Sequence, residues 1–181
     1  MKFFYFVLMI SCLSFISCNT SDTKNNTDVL PHANEADAIK KAVDDAYRAI
    51  CFKHRQQFTF TDIKKSFIPQ AQLVNFGDDT LQVLTIDQFV DFYKKFIDSN
   101  KVSSFYEEEI NGTTDQFGRI AQRISSYNTY INTMDSVAQR GVNSFQLVKT
   151  LQGWKVSSII WDIESQKLKI PGYYLKVDST R

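Results

Sequence analysis

The hydrophobic period of this chain changes once, near Asn100, and that change limits its fold more than any motif does. Upstream, Ala36, Ile39, Val43, Ala46, Tyr47 and Ile50 recur at helical spacing behind Asn34, a candidate cap, with Glu35 and Asp37 in the first turn. Ile86, Phe89, Val90, Tyr93, Phe96 and Ile97 do the same behind Thr85 and Gln88, which have the spacing of a capping box. A shorter helix is expected over 61–68, stopped by Pro69. Two short strands, 71–76 and 80–84, are expected around a turn at Gly77, Asp78 and Asp79. Downstream the period falls to two, and stretches near 103–111, 117–131, 141–149 and 154–163 read as strands. Antiparallel neighbours on short turns make a meander, and helices segregated onto one side of it make an α+β domain.

The length of 181 residues leaves room for one such domain and an appendage. The appendage is N-terminal. Met1 and Lys2 are followed by an apolar run from Phe3 to Ile16, of signal-peptide length and short of the roughly 20 residues that a spanning helix needs. Ser17 and Cys18 come next. This resembles the bacterial lipoprotein signal, in which a small residue precedes a cysteine that is lipidated before cleavage. The resemblance implies a signal peptide over 1–17, lipid on Cys18, and attachment to a membrane of the bacterial cell envelope, the outer one where it exists. Ordinary secretion, with Cys18 a chance residue, is the alternative. Residues 18–33 are mostly Asn, Thr, Ser, Asp and Lys and read as a flexible tether, which leaves 34–181 for the domain.

Twenty-one basic against twenty acidic residues give a net charge of +1, so nothing argues for a nucleic-acid partner. Two histidines and no clustered cysteines supply no metal-ligand spacing, and six scattered glycines make no phosphate-cradling loop, so no cofactor is expected. Cys51 reads as a small apolar residue.

Phe117-Gly118-Arg119-Ile120-Ala121, Ser125-Ser126-Tyr127, Arg140-Gly141-Val142-Asn143-Ser144-Phe145-Gln146-Leu147 and Gly153-Trp154-Lys155-Val156, with Trp161-Asp162 and Ile170-Pro171-Gly172-Tyr173-Tyr174-Leu175, carry a further likeness. The chain resembles the nuclear transport factor 2-like superfamily, near its polyketide cyclase-like branch of uncharacterised bacterial proteins. The likeness implies a cone of curved antiparallel sheet closed by three N-terminal helices. It does not name a function, because that superfamily holds enzymes, binding modules and transport adaptors.

Strand parity selects the candidate site. If Lys155 faces water, then Trp154, Val156, Ser158, Ile160 and Asp162 face the cone interior, and pairing Lys149 with Trp154 adds Asn143 and Phe145. If Arg119 and Arg123 face out, then Gln122, Ser126, Asn128 and Tyr130 face in, unless a bulge reverses part of the strand. A mostly apolar cavity with these few polar groups suits a small apolar or amphiphilic ligand. The alternative is that the groups satisfy one another with no ligand. The resemblance also implies an acid/base Asp or His in the enzymes of the superfamily. Asp162 is the candidate here, with Tyr130 or Tyr47 as donor, for cyclase, isomerase or dehydratase chemistry. Arg140 is expected to clamp Asp162 or Glu164. Of Glu107, Glu108 and Glu109, at most two share a face, and the run reads as solvated. Val142, Ser144, Gln146, Val148, Ser157, Ile159 and Trp161 form the expected outer face, neutral enough for a homodimer or another protein partner. The alternative cover for Trp161 is the segment 167–175 folded back upon it.

Overall fold

The structure, a computed structural model, describes residues 32–77 and 80–175. The expected signal peptide, Cys18 and the turn residues Asp78 and Asp79 lie outside the described residues. Helix α1, His32–Ile50, is followed by 3-10 stretches at Arg55–Gln57 and Phe60–Ser66, and α2 spans Ile86–Ser99. The strands are β1 Phe67–Gly77, β2 Thr80–Thr85, β3 Phe105–Phe117, β4 Ile120–Ile131, β5 Gln139–Thr150 and β6 Gly153–Ile163. They form one sheet in the order β2-β1-β6-β5-β4-β3. Only the β1–β6 pairing is parallel. The α+β reading therefore holds, with α1, the Phe60–Ser66 stretch and α2 as the three longest helical elements among the described residues.

Helix α1 buries Ile39, Val43, Ala46 and Tyr47, one apolar stripe, against the sheet. It takes in His32, so Asn34 lies within the first turn and does not cap it. Thr85 does cap α2. Its Oγ1 accepts the Gln88 N–H at 3.2 Å, and Gln88 Oε1 accepts the Thr85 N–H at 2.9 Å. The helix expected at 61–68 is shorter and 3-10 in form, and Pro69 lies inside β1 rather than ending a helix. The strand tolerates it because the β1–β6 register is broken between Phe67 and Gln72 and β2 pairs only from Gln72 onward. No ladder bond is lost where the proline sits.

Two bulges decide which side chains enter the cone. On β6, Leu147 pairs with Val156 but Gln146 with Ser158, so Ser157 is the extra residue. Trp154 and Val156 are buried before it, and Ile159 after it, with Trp161 packed on the core. The same slip turns Ile160 and Asp162 to the outer face, where both are exposed. The expectation that Ser158, Ile160 and Asp162 line the interior is thereby corrected, as is the outward placing of Ile159 and Trp161. The second bulge, at Ile110 of β3, leaves Glu109 opposite Tyr127 and Asn111 opposite Ser126.

The parity of β4 is also the reverse of that expected. Ala121, Arg123, Ser125, Tyr127 and Thr129 are buried, while Gln122 is exposed and Asn128 and Tyr130 are half-buried on the outer side. A lone arginine belongs in water, but this one meets a carboxylate inside the cone. Ser126 faces outward and is buried because the C-terminal segment crosses it. Ser126 Oγ and Asn111 Nδ2 both donate to the Tyr174 carbonyl, at 2.7 and 3.0 Å. That segment does fold back on the sheet, over Ser126 rather than Trp161.

Candidate functional site

The polar groups of the concave face fall into two sets. In the first, Arg123 donates from Nε and Nη2 to Glu109 at 2.8 and 2.5 Å, and from Nη1 to Thr114 Oγ1 at 2.5 Å. The guanidinium lies across Gly112, where an added Cβ would stand 2.5 Å from Nη2, so only glycine leaves it room. Ser125 Oγ donates to Glu109 at 2.7 Å. Its proton thus committed, Ser125 accepts from the Tyr47 hydroxyl at 2.7 Å, and Asn143 Nδ2 donates to that hydroxyl at 2.9 Å. One chain of hydrogen bonds therefore ties α1 to β3, β4 and β5, each member satisfied by the next. Burial pushes the Glu109 carboxyl up, but the hydrogen bonds of Arg123 and Ser125 and the Arg123 charge outweigh it and hold it below its ordinary value. Burial, with the charge of Glu107 next, raises the Tyr47 phenol well above its ordinary value, so it stays a neutral donor.

The second set begins at Glu107, two residues before Glu109 on the same side of β3. Its Oε2 accepts from Thr129 Oγ1 at 2.8 Å, and its pairing partner across the strands is Thr129. Burial pushes its carboxyl up to about 7, and the Thr129 hydrogen bond only partly opposes this. Tyr127 covers Gly141, which has no room for a side chain beneath the phenol ring. Cys51, after α1, donates to the carbonyl of Tyr47 at 3.1 Å and accepts the Glu107 N–H at 3.2 Å. Burial raises its thiol to about 11, so it is a structural thiol rather than a nucleophile.

Toward the other edge of the sheet, Asn75 of β1 is 6% exposed, and its Nδ2 has no hydrogen-bond partner among the described residues. It lies one position beyond the Val74–Ile160 pair, level with Trp161, whose ring meets Phe89 of α2 edge-on at 6.2 Å. A cleft of about 510 Å³ lies elsewhere, between α1, the 3-10 stretches and the start of β6. Its Asp45 pairs with Arg48 and its Asp62 with Lys65, while its Lys155 donates to the carbonyl of Lys65 at 2.5 Å.

Of the residues expected at the site, the structure brings Asn143 and Phe145 into the interior. Gln122, Asn128, Tyr130, Ile160 and Asp162 stand on the outer side, Ser126 lies beneath the C-terminal segment, and Ser158 sits half-buried beside the bulge. Arg140 clamps Glu164, with Nε and Nη2 at 2.9 and 2.7 Å from one oxygen, and not Asp162. Glu107, Glu109, Arg123, Ser125, Thr129 and Asn75 were missed as site residues. The available signal was a spacing: carboxylates two apart on one strand, matched by Arg123, Ser125 and Thr129 on the next.

No family model matches the chain, and no curated protein sequence matches it. Solved structures do. An NTF2-like protein of unknown function from Shewanella baltica is 18% identical, with a TM-score of 0.52 over 75% of this chain and 98% of that one. A Nostoc punctiforme protein of unknown function with a cystatin-like fold is 10% identical, with a TM-score of 0.59 over 74% and 94%. A Streptomyces avermitilis protein provisionally described as a dehydratase from the NTF2-like family is 15% identical, with a TM-score of 0.58 over 74% and 98%. Identities this low speak for architecture alone. The chain has the nuclear transport factor 2-like, cystatin-like fold.

Proposed function

We propose that this domain binds a small ligand with an apolar body and an oxygen acceptor on its concave face, and is held at a bacterial envelope through lipid on Cys18. The observation that carries the ligand reading is Asn75 Nδ2, a buried donor without an acceptor among the described residues. Such a group costs about 1–3 kcal/mol, and a bound carbonyl, carboxylate or hydroxyl oxygen would relieve it. Phe89 and Trp161 supply the apolar wall beside it. Native mass spectrometry of the purified protein reads a retained ligand, and Asn75→Leu separates binding from structure. The variant should be as stable as the wild type or more so without ligand, and should lose the ligand. A less stable variant with undiminished ligand retention rejects the reading.

The lipid anchor rests on the sequence of 1–18, and no helix among the described residues is long and apolar enough to cross a membrane. Cys18→Ala should release or misprocess the protein, and lipid-labelled, membrane-bound protein in that variant would reject it.

A second reading, catalysis, is favoured by one observation. Glu107 is a carboxyl inside the cone with a hydroxyl partner and a proton affinity near neutral, as a general acid/base requires. It takes the role first given to Asp162. Glu107→Gln should abolish any turnover found, and unchanged turnover rejects the reading. A homodimer through the outer face now rests on Val142, Ser144, Gln146 and Val148 with Ile160 opposite Ser144, since Ile159 and Trp161 turn inward. Sedimentation of a Ser144→Glu chain as monomer, against a wild-type dimer, checks it.

A further inference from the structure

At one end of the sheet, two adjacent turns hold their apolar side chains in solvent. Phe117 and Ile120 flank the β3–β4 turn and are 84% and 60% exposed, and Leu151, in the β5–β6 turn, is fully exposed. Turn positions of this kind usually hold Gly, Asn, Asp or Ser. None of the three belongs to the core. The turns are neighbours, because Ile120 pairs with Val148 and the Lys149 N–H donates to the Arg119 carbonyl at 2.9 Å.

The same end receives the chain from upstream. Glu35, in the first turn of α1, pairs with Lys149 and accepts from Trp154 Nε1 at 2.9 Å. Helix α1 starts at His32, fourteen positions after Cys18. Fourteen residues reach at most about 50 Å when fully extended. A lipid on Cys18 would keep this end, where α1 begins, within about 50 Å of the bilayer.

We infer that the two turns dock on the surface of a lipid bilayer, with Phe117, Ile120 and Leu151 entering the headgroup region. The inference rests on the reading of Cys18 as lipidated. Three apolar side chains give only a weak contact by themselves, but a short tether raises the effective concentration of the surface to the millimolar range, where weak contacts are occupied. The charges here are mixed. Arg119 lies in one turn, Lys149 is matched by Glu35, and Asp115 accepts from Gln122 at 3.4 Å. Insertion of apolar groups therefore holds the contact, which forms on zwitterionic lipid and changes little with salt.

The test uses the full lipidated chain in phosphatidylcholine vesicles, with an environment-sensitive fluorophore on Leu151→Cys in a Cys51→Ala background. A second probe is placed at Met134→Cys, in the β4–β5 loop at the opposite end of the strands. The Leu151 probe should shift to the blue and be quenched by lipids brominated near the glycerol, while the Met134 probe stays aqueous. Adding Phe117→Glu and Ile120→Glu should abolish the quenching while the chain still floats with the vesicles. Two equally aqueous probes on a floating chain overturn the docking and leave the anchor standing. A blue shift without bromine quenching means a protein contact, and also overturns it. A chain that does not float removes the anchor and the docking together. Quenching at position 151 that persists in Cys18→Ala removes the anchor alone.

Discussion

Glu107 and Glu109 stand two residues apart on one strand and face the same interior, yet their surroundings are opposite. Glu109 meets a guanidinium and a serine hydroxyl, and its hydrogen bonds continue through Tyr47 to Asn143. Glu107 has the Thr129 hydroxyl. Farther across the same face, Asn75 has an amide donor with no acceptor among the described residues. A set whose every proton is placed resists change and holds elements together. The Glu107 carboxyl and, four strands away on β1, the Asn75 amide are not compensated in this way. The first is the frame of the cone, and the ligand site proposed above, at Asn75, lies apart from it.

The sharpest way to break this contrast is at Arg123. Both partners of its ion pair are more than nine-tenths buried by side chain. Arg123→Met would strand the Glu109 carboxylate in the interior, at an expected loss of about 3–5 kcal/mol in chemical denaturation. The double variant with Glu109→Met should recover most of that, since removing both charges leaves neither unpaired. A loss below about 1 kcal/mol in the single variant would mean that the pair is not the frame.

The two carboxylates should next be separable by pH. Glu107 has its folded value raised from 4.5 to about 7. The folded chain therefore holds this proton more tightly than the unfolded chain. Stability from this group is fully present below about 4.5, falls as pH rises through about 7, and is level above that. The span is at most on the order of 3 kcal/mol. Glu109, with its folded value lowered, works in the other direction: its contribution is present above the ordinary glutamate range and disappears as pH falls through the folded value. Denaturation midpoints across this range should slope downward toward neutral pH in the wild type and flatten in Glu107→Gln. An unchanged slope in that variant removes Glu107 as the titrating group.

Tyr47→Phe probes the joint of the frame. It deletes the hydroxyl that donates to Ser125 and accepts from Asn143, and leaves the ring packed edge-on against Phe145 at 5.6 Å. The expected loss is about 1–3 kcal/mol, that of buried polar groups left unsatisfied. A loss within experimental error would show that the chain of hydrogen bonds is not cooperative.

The sequence made some of this legible and hid the rest for definite reasons. The capping box at Thr85, the helix stripe through Ile39, Val43 and Tyr47, and the Lys149–Trp154 pairing are local, and each formed as read. So did the inward placing of Asn143 and Phe145, because β5 keeps an even alternation. The site was misplaced because parity is not local. One extra residue, Ser157, reverses everything after it on β6, and nothing in the sequence around Ser157 announces a bulge. On β4 the fault lay in treating Arg123 alone. A charge can face inward when its partner does, and that partner lies fourteen residues earlier in the chain.

The smallest effect is expected at Asp162, and it tests the site assignment from the opposite side. Beyond the bulge Asp162 is paired with Val142 on the outer face, exposed, with Oδ1 accepting the N–H of Ile163 at 2.7 Å. Asn at this position keeps that acceptor and loses only a charge already in water. The change in stability should be within about 0.5 kcal/mol, as for other surface substitutions. Ligand retention and any turnover should be unaffected, because the side chain points away from Asn75, Trp161 and Glu107. The comparison is clearest in one preparation: Asn75→Leu loses ligand at undiminished stability, Glu107→Gln flattens the pH slope, and Asp162→Asn changes neither. Loss of binding or turnover in Asp162→Asn would put the functional site on the outer face, and would overturn the assignment of Glu107 and Asn75 together.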